Sequence, residues 1–185
     1  MSTDKTNIPG RRIAQLARTK ETLFHTKELA VIWGISDTNN LYTTLKRYVK
    51  NKILFRVYKG LYSLLPLEQV DRTLLGLKAL HQYAYLSTET VLFNEGVIFQ
   101  PPSYITLISK ISRQFTIGKT NYKCRQMEEK SLYQNDGIMI KGRIRIAGIE
   151  RAIADLLYFN PRAHVDNKKV NWEKVKELQR KLGYI

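Results

Sequence analysis

Residues 23–66 read LFHTKELAVIWGISDTNNLYTTLKRYVKNKILFRVYKGLYSLLP, and this stretch decides the fold of the first third of the chain. Thr26 as an N-cap and Gly34 as a stop predict a short helix between them. The buried side of this helix would carry Leu29, Ala30 and Trp33. After a tight turn, Ser36 or Asp37 caps a longer helix whose apolar residues are spaced i, i+4, i+7 and i+8. These residues are Leu41, Leu45, Tyr48 and Val49.

The elements around these two helices complete a recognisable order. The longer helix extends to about Lys50, and two β-rich runs follow it, joined at Lys59-Gly60, where glycine supplies the positive φ of a hairpin turn. Upstream, RRIAQLARTKE at residues 11–21 has helical apolar spacing and predicts a preceding helix. Helix, short helix, turn, helix and two-stranded ribbon are typical of a winged helix-turn-helix. The predicted fold class is therefore α+β, with this N-terminal winged helix-turn-helix followed by a mixed α/β C-terminal domain with a small sheet.

The chain of 185 residues divides into an arm and two domains. Residues 1–9 are polar and are predicted to form a flexible arm. The winged helix-turn-helix would span residues 10–66, followed by a polar linker at 67–73, and residues 74–185 would form the α+β C-terminal domain. The helices predicted in the C-terminal domain cover residues 74–83, 87–95, 148–159 and 171–183, and strands are predicted between them.

The net charge of the chain predicts a polyanionic partner. Thirty-one Lys and Arg against sixteen Asp and Glu give a formal charge of +15. Residues 1–66 carry +8 of this and the longer remainder carries +7, so the charge density is about twice as high in the first third. Such a field attracts DNA, RNA, an anionic membrane surface or an acidic protein. A basic excess that serves only solubility remains the alternative.

The exposed face of the longer helix carries groups that suit the major groove of DNA. Asn pairs in bidentate fashion with adenine, Arg contacts guanine or phosphate, and Lys contacts phosphate. The candidate residues on this helix are Asn39, Asn40, Thr43, Lys46, Arg47 and Lys50. Arg56 and Lys59 in the ribbon, with Arg11 and Arg12 in the first helix, would contact the neighbouring groove or backbone. A solvated polar face, and a winged helix that binds a protein instead of DNA, are the two alternatives.

A second basic surface is predicted in the C-terminal domain. The segment IKGRIRI alternates aliphatic and cationic residues with a period of two, as a strand with one buried face does. Its three cations would share one face: Lys141, Arg143 and Arg145. Lys123 and Arg125 from a preceding strand would join them. Such a face would bind DNA phosphates, RNA or an acidic protein, and a merely solvated sheet face is equally open.

The sequence contains no motif for a known catalytic or metal-dependent reaction. A Gly-rich phosphate loop, an H-E-x-x-H pair and a G-x-S-x-G elbow are all missing. The histidines are scattered between elements: His25, His81 and His164. Asp155 lies one helical turn after Arg151, where a modest i,i+4 contact is possible. We therefore predict no catalytic residue, metal or cofactor, and keep a basic nucleic-acid-processing enzyme as the weaker alternative.

Cysteine usage and hydropathy indicate the compartment. The one cysteine, Cys124, cannot form an internal disulfide. Its neighbours Lys123 and Arg125 could lower the pKa of its thiol, although a buried inert thiol is the favoured reading. The first residues have no apolar h-region, and no run approaches eighteen apolar residues. A cytoplasmic protein without membrane contact is expected.

Several segments together resemble a known family. They are residues 23–66, AYLSTETVLFNEG at 84–96, the strand pair YITLIS/RQFTI, and RIRIAGIERAIADLLYF at 143–159. They are similar to the AbiEi-type antitoxins of type IV toxin–antitoxin systems, over most of the chain from Leu23 to Phe159. The similar motifs are S-x-E-x-A/V-L and I-A-x-x-E-R-A-x-x-D. Their residues here are Ser87, Glu89, Val91, Leu92, Ile146, Ala147, Glu150, Arg151, Ala152 and Asp155.

The resemblance implies a regulator with two activities. Its winged domain would bind double-stranded operator DNA upstream of its own operon and repress transcription. Its C-terminal domain would support cooperative repression and counteract a nucleotidyltransferase-like toxin protein. The family also includes regulators without a known toxin, and the oligomeric state stays open.

Overall fold

A computed structural model describes residues 8–165 and 168–185, and within them the fold is mixed α+β with two separate sheets. Residues 1–7 of the predicted arm lie outside this part of the chain, and the first helix already includes residues 8 and 9. The chain divides into two compact units between Val70 and Asp71, inside the predicted linker. No described helix is long and apolar enough to cross a membrane.

The first unit combines three helices with a three-stranded sheet. Its elements are α1 (Ile8–Arg18), β1 (Leu23–His25), α2 (Thr26–Trp33), α3 (Thr38–Lys50), β2 (Phe55–Tyr58) and β3 (Leu61–Ser63). The strands are antiparallel in the order β1-β3-β2. The sequence pattern predicted no strand where β1 lies. A three-residue strand is too short to show a period of two, and Leu23 and Phe24 are buried when they pair with β3.

The start of α2 differs from the prediction. His25 takes the N-cap position, and the Glu28 carboxylate accepts the His25 backbone N–H at 2.7 Å. The Thr26 hydroxyl does not cap the helix but donates to the Gly60 carbonyl at 3.2 Å. Thr26 therefore ties α2 to the hairpin turn, a contact that depends on residues far away in the sequence.

The turn between α2 and α3 agrees with the prediction. Gly34 ends α2 with a φ of 63°, a left-handed conformation that glycine adopts without strain. The Asp37 carboxylate then accepts the Asn40 backbone N–H at 2.6 Å and caps α3. Two helices are thus joined by a short, capped turn.

The core of the first unit is one apolar cluster. Its buried members are Leu16, Phe24, Leu29, Trp33, Ile35, Leu41, Leu45, Tyr48, Leu54 and Tyr62. The rings of Trp33 and Tyr48 meet edge to face with centroids 5.4 Å apart. The predicted stripe of α3 is therefore buried, apart from Val49, which is half-buried.

The second unit is built on a six-stranded mixed sheet, larger than the small sheet predicted. Its elements are α4 (Arg72–Ala79), β4 (Ala84–Leu86), α5 (Thr88–Asn94), β5 (Ile105–Ser109), β6 (Arg113–Ile117), β7 (Thr120–Gln126), α6 (Glu129–Leu132), β8 (Ile138–Lys141), β9 (Ile144–Ala147), α7 (Ile149–Phe159) and α8 (Trp172–Lys181). The strand order is β6-β7-β5-β4-β9-β8, with parallel pairing at β7/β5 and β4/β9.

Helices cover both faces of this sheet. A Cβ atom on Gly76 of α4 would lie 2.3 Å from the Tyr122 ring. Helix α4 therefore packs so closely on one face of the sheet that only glycine fits at this position. On the other face, Tyr85 of β4 reaches α7. Leu86, the next residue along β4, points back to the α4 side because strand side chains alternate.

The segment IKGRIRI is a hairpin and not a single strand. β8 ends at Lys141, Gly142 turns the chain with a φ of 61°, and β9 begins at Ile144. Ile140 pairs with Arg145, and its side chain is 70% exposed although it was predicted to face the core. Period-two alternation is the same in one strand and in a hairpin, so only the conformation of Gly142 distinguishes the two.

Candidate nucleic-acid interface

The face of α3 predicted to contact DNA is exposed along its whole length. Its exposed residues are Asn39, Asn40, Thr43, Lys46, Arg47 and Lys50. At 3.6 residues per turn, four of them form a row directly opposite the buried stripe: Asn39, Thr43, Lys46 and Lys50. Asn40 and Arg47 flank this row, and the Asn40 amide oxygen accepts the Thr44 hydroxyl at 3.4 Å.

The cations of α3 are available to a ligand. Within the described part of the chain, Lys46, Arg47 and Lys50 form no ion pair with a carboxylate. The Arg47 guanidinium lies 5.8 Å from the centre of the Tyr48 ring, and this leaves its N–H edges open. Three unpaired positive charges on one helix face give a local field that attracts a polyanion.

The other predicted contacts of the first unit lie at its surface to different degrees. Arg56 and Lys59 of the hairpin and Arg11 of α1 are exposed. Arg12 is half-buried and lies 5.6 Å above the Trp33 ring, so its stem belongs to the packing of α1 on α2. Arg12 is thus the least accessible of these four candidates.

Sequence reasoning missed Tyr42, which lies on α3 beside the polar row and is 55% exposed. Burial raises the pKa of Tyr62 in the hairpin, while Arg56 lowers it and Tyr42 raises it. Arg56 lies beside Tyr62 because the two residues pair across the β2–β3 hairpin. The sequence feature that could have identified Tyr42 is an aromatic residue on the polar side of an amphipathic helix.

The basic face predicted in the second unit does not form. Because Lys141 pairs with Ile144 while Arg145 pairs with Ile140, the side chains of Lys141 and Arg145 point to opposite faces, and Arg143 lies in the turn. Lys123 and Arg125 share a face of β7, which is separated from β9 by two strands, a distance of about 14 Å. The five cations are thus divided among separate places.

Two of these cations have partners within the unit. Arg125 forms an ion pair with Glu89 at the start of α5, and its guanidinium lies 5.3 Å from the centre of the Phe159 ring. Arg145 lies 4.9 Å from the centre of the Tyr83 ring. Only Lys123 of the β7 pair remains without a carboxylate in the described residues.

A buried polar network holds the second unit together. The Asp155 carboxylate has no exposed surface and accepts four hydrogen bonds. Arg151 Nε at 2.9 Å and the Tyr184 hydroxyl at 2.6 Å donate to one oxygen. Ser87 Oγ at 2.7 Å and the Tyr85 hydroxyl at 3.1 Å donate to the other. Ser87 occupies the N-cap position of α5, but its side chain serves this network and does not cap the helix.

The guanidinium of Arg151 is also fully used. It is buried, and beyond Asp155 it donates to the carbonyls of Gln134 at 3.1 Å and Asp136 at 2.8 Å. It donates further to the Tyr85 hydroxyl at 2.9 Å. The modest i,i+4 contact predicted for this pair is therefore a buried hub that joins α7, β4 and the 131–136 segment. Sealed from solvent, it cannot reach a substrate.

The two phenols of the network stay protonated. Burial, followed by the negative charge of Asp155, raises the pKa of both Tyr85 and Tyr184 far above the usual value. Each hydroxyl therefore keeps its proton and donates a hydrogen bond to the Asp155 carboxylate.

Cys124 is buried in β7, and burial raises the pKa of its thiol to about 12. The neighbouring cations do not activate it. We expect the native protein to react with a disulfide reagent such as Ellman's far more slowly than the protein unfolded in guanidinium, because a thiol without thiolate character is a poor nucleophile. Equal rates in the two states would contradict this placement.

The ion pair of Glu89 predicts an acid-sensitive contribution to stability. Burial alone would raise the pKa of Glu89, but hydrogen bonds to the carboxylate and the charge of Arg125 outweigh it and hold the pKa below its usual value. A carboxyl group whose pKa is lower in the folded state than in the unfolded state stabilises the fold at pH values above the unfolded-state pKa. This stabilisation is lost as the pH falls through the folded-state pKa. The melting temperature of Glu89→Gln should therefore fall less than that of the wild type on acidification. If the melting temperatures of Glu89→Gln and the wild type fell by the same amount as the pH was lowered, the prediction would be contradicted.

Comparison with known proteins does not assign the chain to a family. No family model matches the chain, and no curated protein matches its sequence. Among residues 8–165 and 168–185, no group of three or more His, Cys, Asp or Glu side chains is placed to hold a metal ion. The exposed face of α3 is thus the arrangement with the clearest chemical use.

Proposed function

We propose that the chain is a DNA-binding transcriptional repressor and that residues 10–66 form a winged helix-turn-helix. The observation that carries the proposal is the exposed face of α3, where amide, hydroxyl and cationic groups lie opposite a buried apolar stripe. An α-helix with its side chains is about 10–12 Å wide and fits a major groove about 12 Å wide. The face presented to the groove then carries the groups that read bases and bind phosphates.

The order of elements in the first unit supports this proposal. α2 and α3 are joined by a short capped turn, as in a helix-turn-helix, and α3 is followed directly by the β2–β3 hairpin. In the proposed complex α3 enters the major groove and the hairpin lies along the adjacent backbone. Exposed Arg56 and Lys59 on the hairpin then contact phosphates, and so does Arg11 on α1.

The roles on α3 follow from its geometry. Asn39 and Thr43 lie in the central row toward the N-terminal half of the helix, which approaches base edges most closely. Lys46 and Lys50 further along bind phosphates, and Arg47 on the flank contacts guanine or a phosphate. Base readers and phosphate binders are thus separated along one helix.

The sequence resemblance extends the proposal to an autoregulating antitoxin of a type IV pair. The C-terminal unit then supports cooperative repression and counteracts a nucleotidyltransferase-like toxin, without catalysing a reaction itself. The network of Arg151 and Asp155 gives this unit a rigid frame and offers no reactive group to solvent. Co-expression of this chain with a nucleotidyltransferase-like toxin of a type IV pair should restore growth, and Lys46→Ala/Arg47→Ala should restore it equally, since that variant alters only the proposed DNA-binding face.

Repression is tested with a reporter fused to the DNA upstream of the chain's own gene. We expect the wild type to repress it and Lys46→Ala/Arg47→Ala to release repression. The control Lys110→Ala/Lys176→Ala removes the same charge from exposed positions of the other unit, and it should still repress. Release by both variants would mean that net charge alone is responsible, and no repression by the wild type would contradict the proposal.

A second candidate function has one specific observation in its favour. Val31 on α2 is 81% exposed and Tyr42 on α3 is 55% exposed, and apolar groups at a surface suit a protein partner. In this alternative the first unit is an adaptor that holds a protein. It predicts that DNA binding is weak and without sequence preference, while Val31→Ser/Tyr42→Ser abolishes co-purification of the partner.

A further inference from the structure

We propose that a cleft beside Lys123 in the second unit binds a small organic phosphate. The cleft lies between the start of α5, the 98–104 segment and strands β5 and β7, and its volume is about 260 Å³. This volume lies just below the range of about 300–1,000 Å³ that is usual for small-molecule sites, so the cleft suits a small ligand. The lining residues that bear on binding are Glu89, Gln100, Tyr104, Thr106, Lys123 and Arg125.

Lys123 gives this cleft its charge. It is half-buried on the central part of β7, and no described carboxylate pairs with it. The other charged residues of the cleft, Arg125 and Glu89, form an ion pair and neutralise each other. One positive charge therefore remains, partly withdrawn from water, and a bound anion would neutralise it.

The neighbours of Lys123 complete a set of hydrogen-bonding groups. Strand register aligns Thr106 of β5, Lys123 of β7 and Gln114 of β6 in one row, and aligned residues point to the same face. The Thr106 hydroxyl and the Lys123 ammonium thus stand side by side in the cleft, and the Gln114 amide lies beyond Lys123 in the adjoining depression. Phosphate has three terminal oxygens that accept strong hydrogen bonds, and lysine binds it as a point charge. A carboxylate offers only two oxygens to the same row.

The remaining wall of the cleft suits the organic part of such a ligand. Tyr104 is 37% exposed, and Ile98 and Pro101 add apolar surface beside it. The end of this wall is fixed, because the Thr90 hydroxyl donates to the Tyr104 carbonyl at 3.3 Å and accepts the Thr106 N–H at 2.8 Å. The wall is therefore preorganised.

Space continues on the other side of Lys123. A second cleft of about 480 Å³ is lined by Gln114, Lys123, Arg125 and Phe159. Lys123 and Arg125 thus stand between two depressions of the same surface. A ligand can place its phosphate at Lys123 and still find room for a larger group.

The phosphates of a nucleic acid strand offer the same chemistry, but the shape of the site favours a small molecule. The cleft is concave and is bounded by the 98–104 segment with its rigid Pro101-Pro102 pair. A compact ligand fits such a depression, whereas a continuous strand has to pass over its rim.

The test is calorimetric titration of the full chain with pyrophosphate, ribose 5-phosphate and AMP, and separately with a single-stranded oligonucleotide. We expect at least one small phosphate to bind saturably with one site per chain. Lys123→Met should weaken it at least tenfold, and Thr106→Val should weaken it less. Lys119→Met, which removes an exposed charge from the neighbouring β6–β7 turn, should leave it unchanged. Circular dichroism checks that each variant is folded.

Three outcomes would overturn the proposal. They are the absence of saturable binding by all three small phosphates, an equal loss in Lys123→Met and Lys119→Met, and binding by the oligonucleotide alone. The last would assign Lys123 to a nucleic-acid surface. The site lies within the second unit, so a failure of operator binding by α3 would leave this proposal standing, and the reverse holds as well.

Discussion

Replacing Asp155 with asparagine is expected to lower the free energy of unfolding by about 3–5 kcal/mol, because it leaves the buried Arg151 without a counter-charge. The amide keeps the shape of the carboxylate, but it is neutral and its N–H₂ group replaces one of the two acceptor oxygens. The two oxygens accept from Arg151 Nε and from the hydroxyls of Tyr85, Ser87 and Tyr184. Hydroxyls that face the N–H₂ group must turn to accept from it, so the network loses hydrogen bonds as well as the charge.

Urea unfolding followed by circular dichroism measures this loss. The matched control is Asp136→Asn, which breaks the ion pair of Asp136 with Lys181 at the surface and should leave the unfolding midpoint nearly unchanged. A double variant, Arg151→Met/Asp155→Leu, should recover much of the loss because it removes both buried charges together. Equal midpoints for Asp155→Asn and Asp136→Asn would mean that the network does not hold the unit together.

Two substitutions on α3 are expected to weaken DNA binding in different ways. Asn39→Ala should cost about 1–3 kcal/mol on the operator and little on scrambled DNA, because it removes a base contact. Lys50→Ala should weaken both complexes alike and lower the slope of the salt dependence by about one, because it removes a phosphate contact. Both residues lie in the same exposed row of α3, so each serves as the control for the other.

These effects are measured by titrating each variant with operator and scrambled duplexes over a range of salt concentrations. Identical losses on both duplexes for Asn39→Ala would remove Asn39 from base readout. A loss confined to the operator for Lys50→Ala would assign that residue to base readout instead.

The features predicted correctly from the sequence are local ones. The stop at Gly34, the cap at Asp37 and the buried stripe of α3 each depend on residues within a few positions, so spacing and residue type suffice. The exposed polar face of α3 follows from the same period. The turn at Lys59-Gly60 was also predictable, since glycine with a φ of 63° supplies the conformation of the turn.

The features that were missed depend on distant residues. β1 exists because β3 pairs with it some forty positions later, and Ser87 and Asp155 meet across 68 positions. Tyr184 reaches the same carboxylate from the C-terminal end of the chain. Periodicity within one segment carries no information on such partners, so the network looked like a single helical contact.

The prediction of one basic sheet face was wrong for a related reason. Alternation placed the three cations of IKGRIRI on one side, but a positive φ at Gly142 folds the segment back on itself. In the sequence of this segment alone, a glycine at position 142 is compatible both with a continuous strand and with a turn. The turn lets β8 pair with β9, and β9 in turn pairs with β4, a strand far earlier in the sequence.

The central claim is that α3 recognises a DNA sequence, and fluorescence anisotropy of the purified chain tests it most directly. The labelled duplex comes from the region upstream of its own gene, and a scrambled duplex of equal length and composition is the reference. We predict binding to the upstream duplex that is at least ~1000-fold tighter at physiological salt. Equal binding to both duplexes that disappears as salt rises would show only affinity for polyanions and would contradict the account.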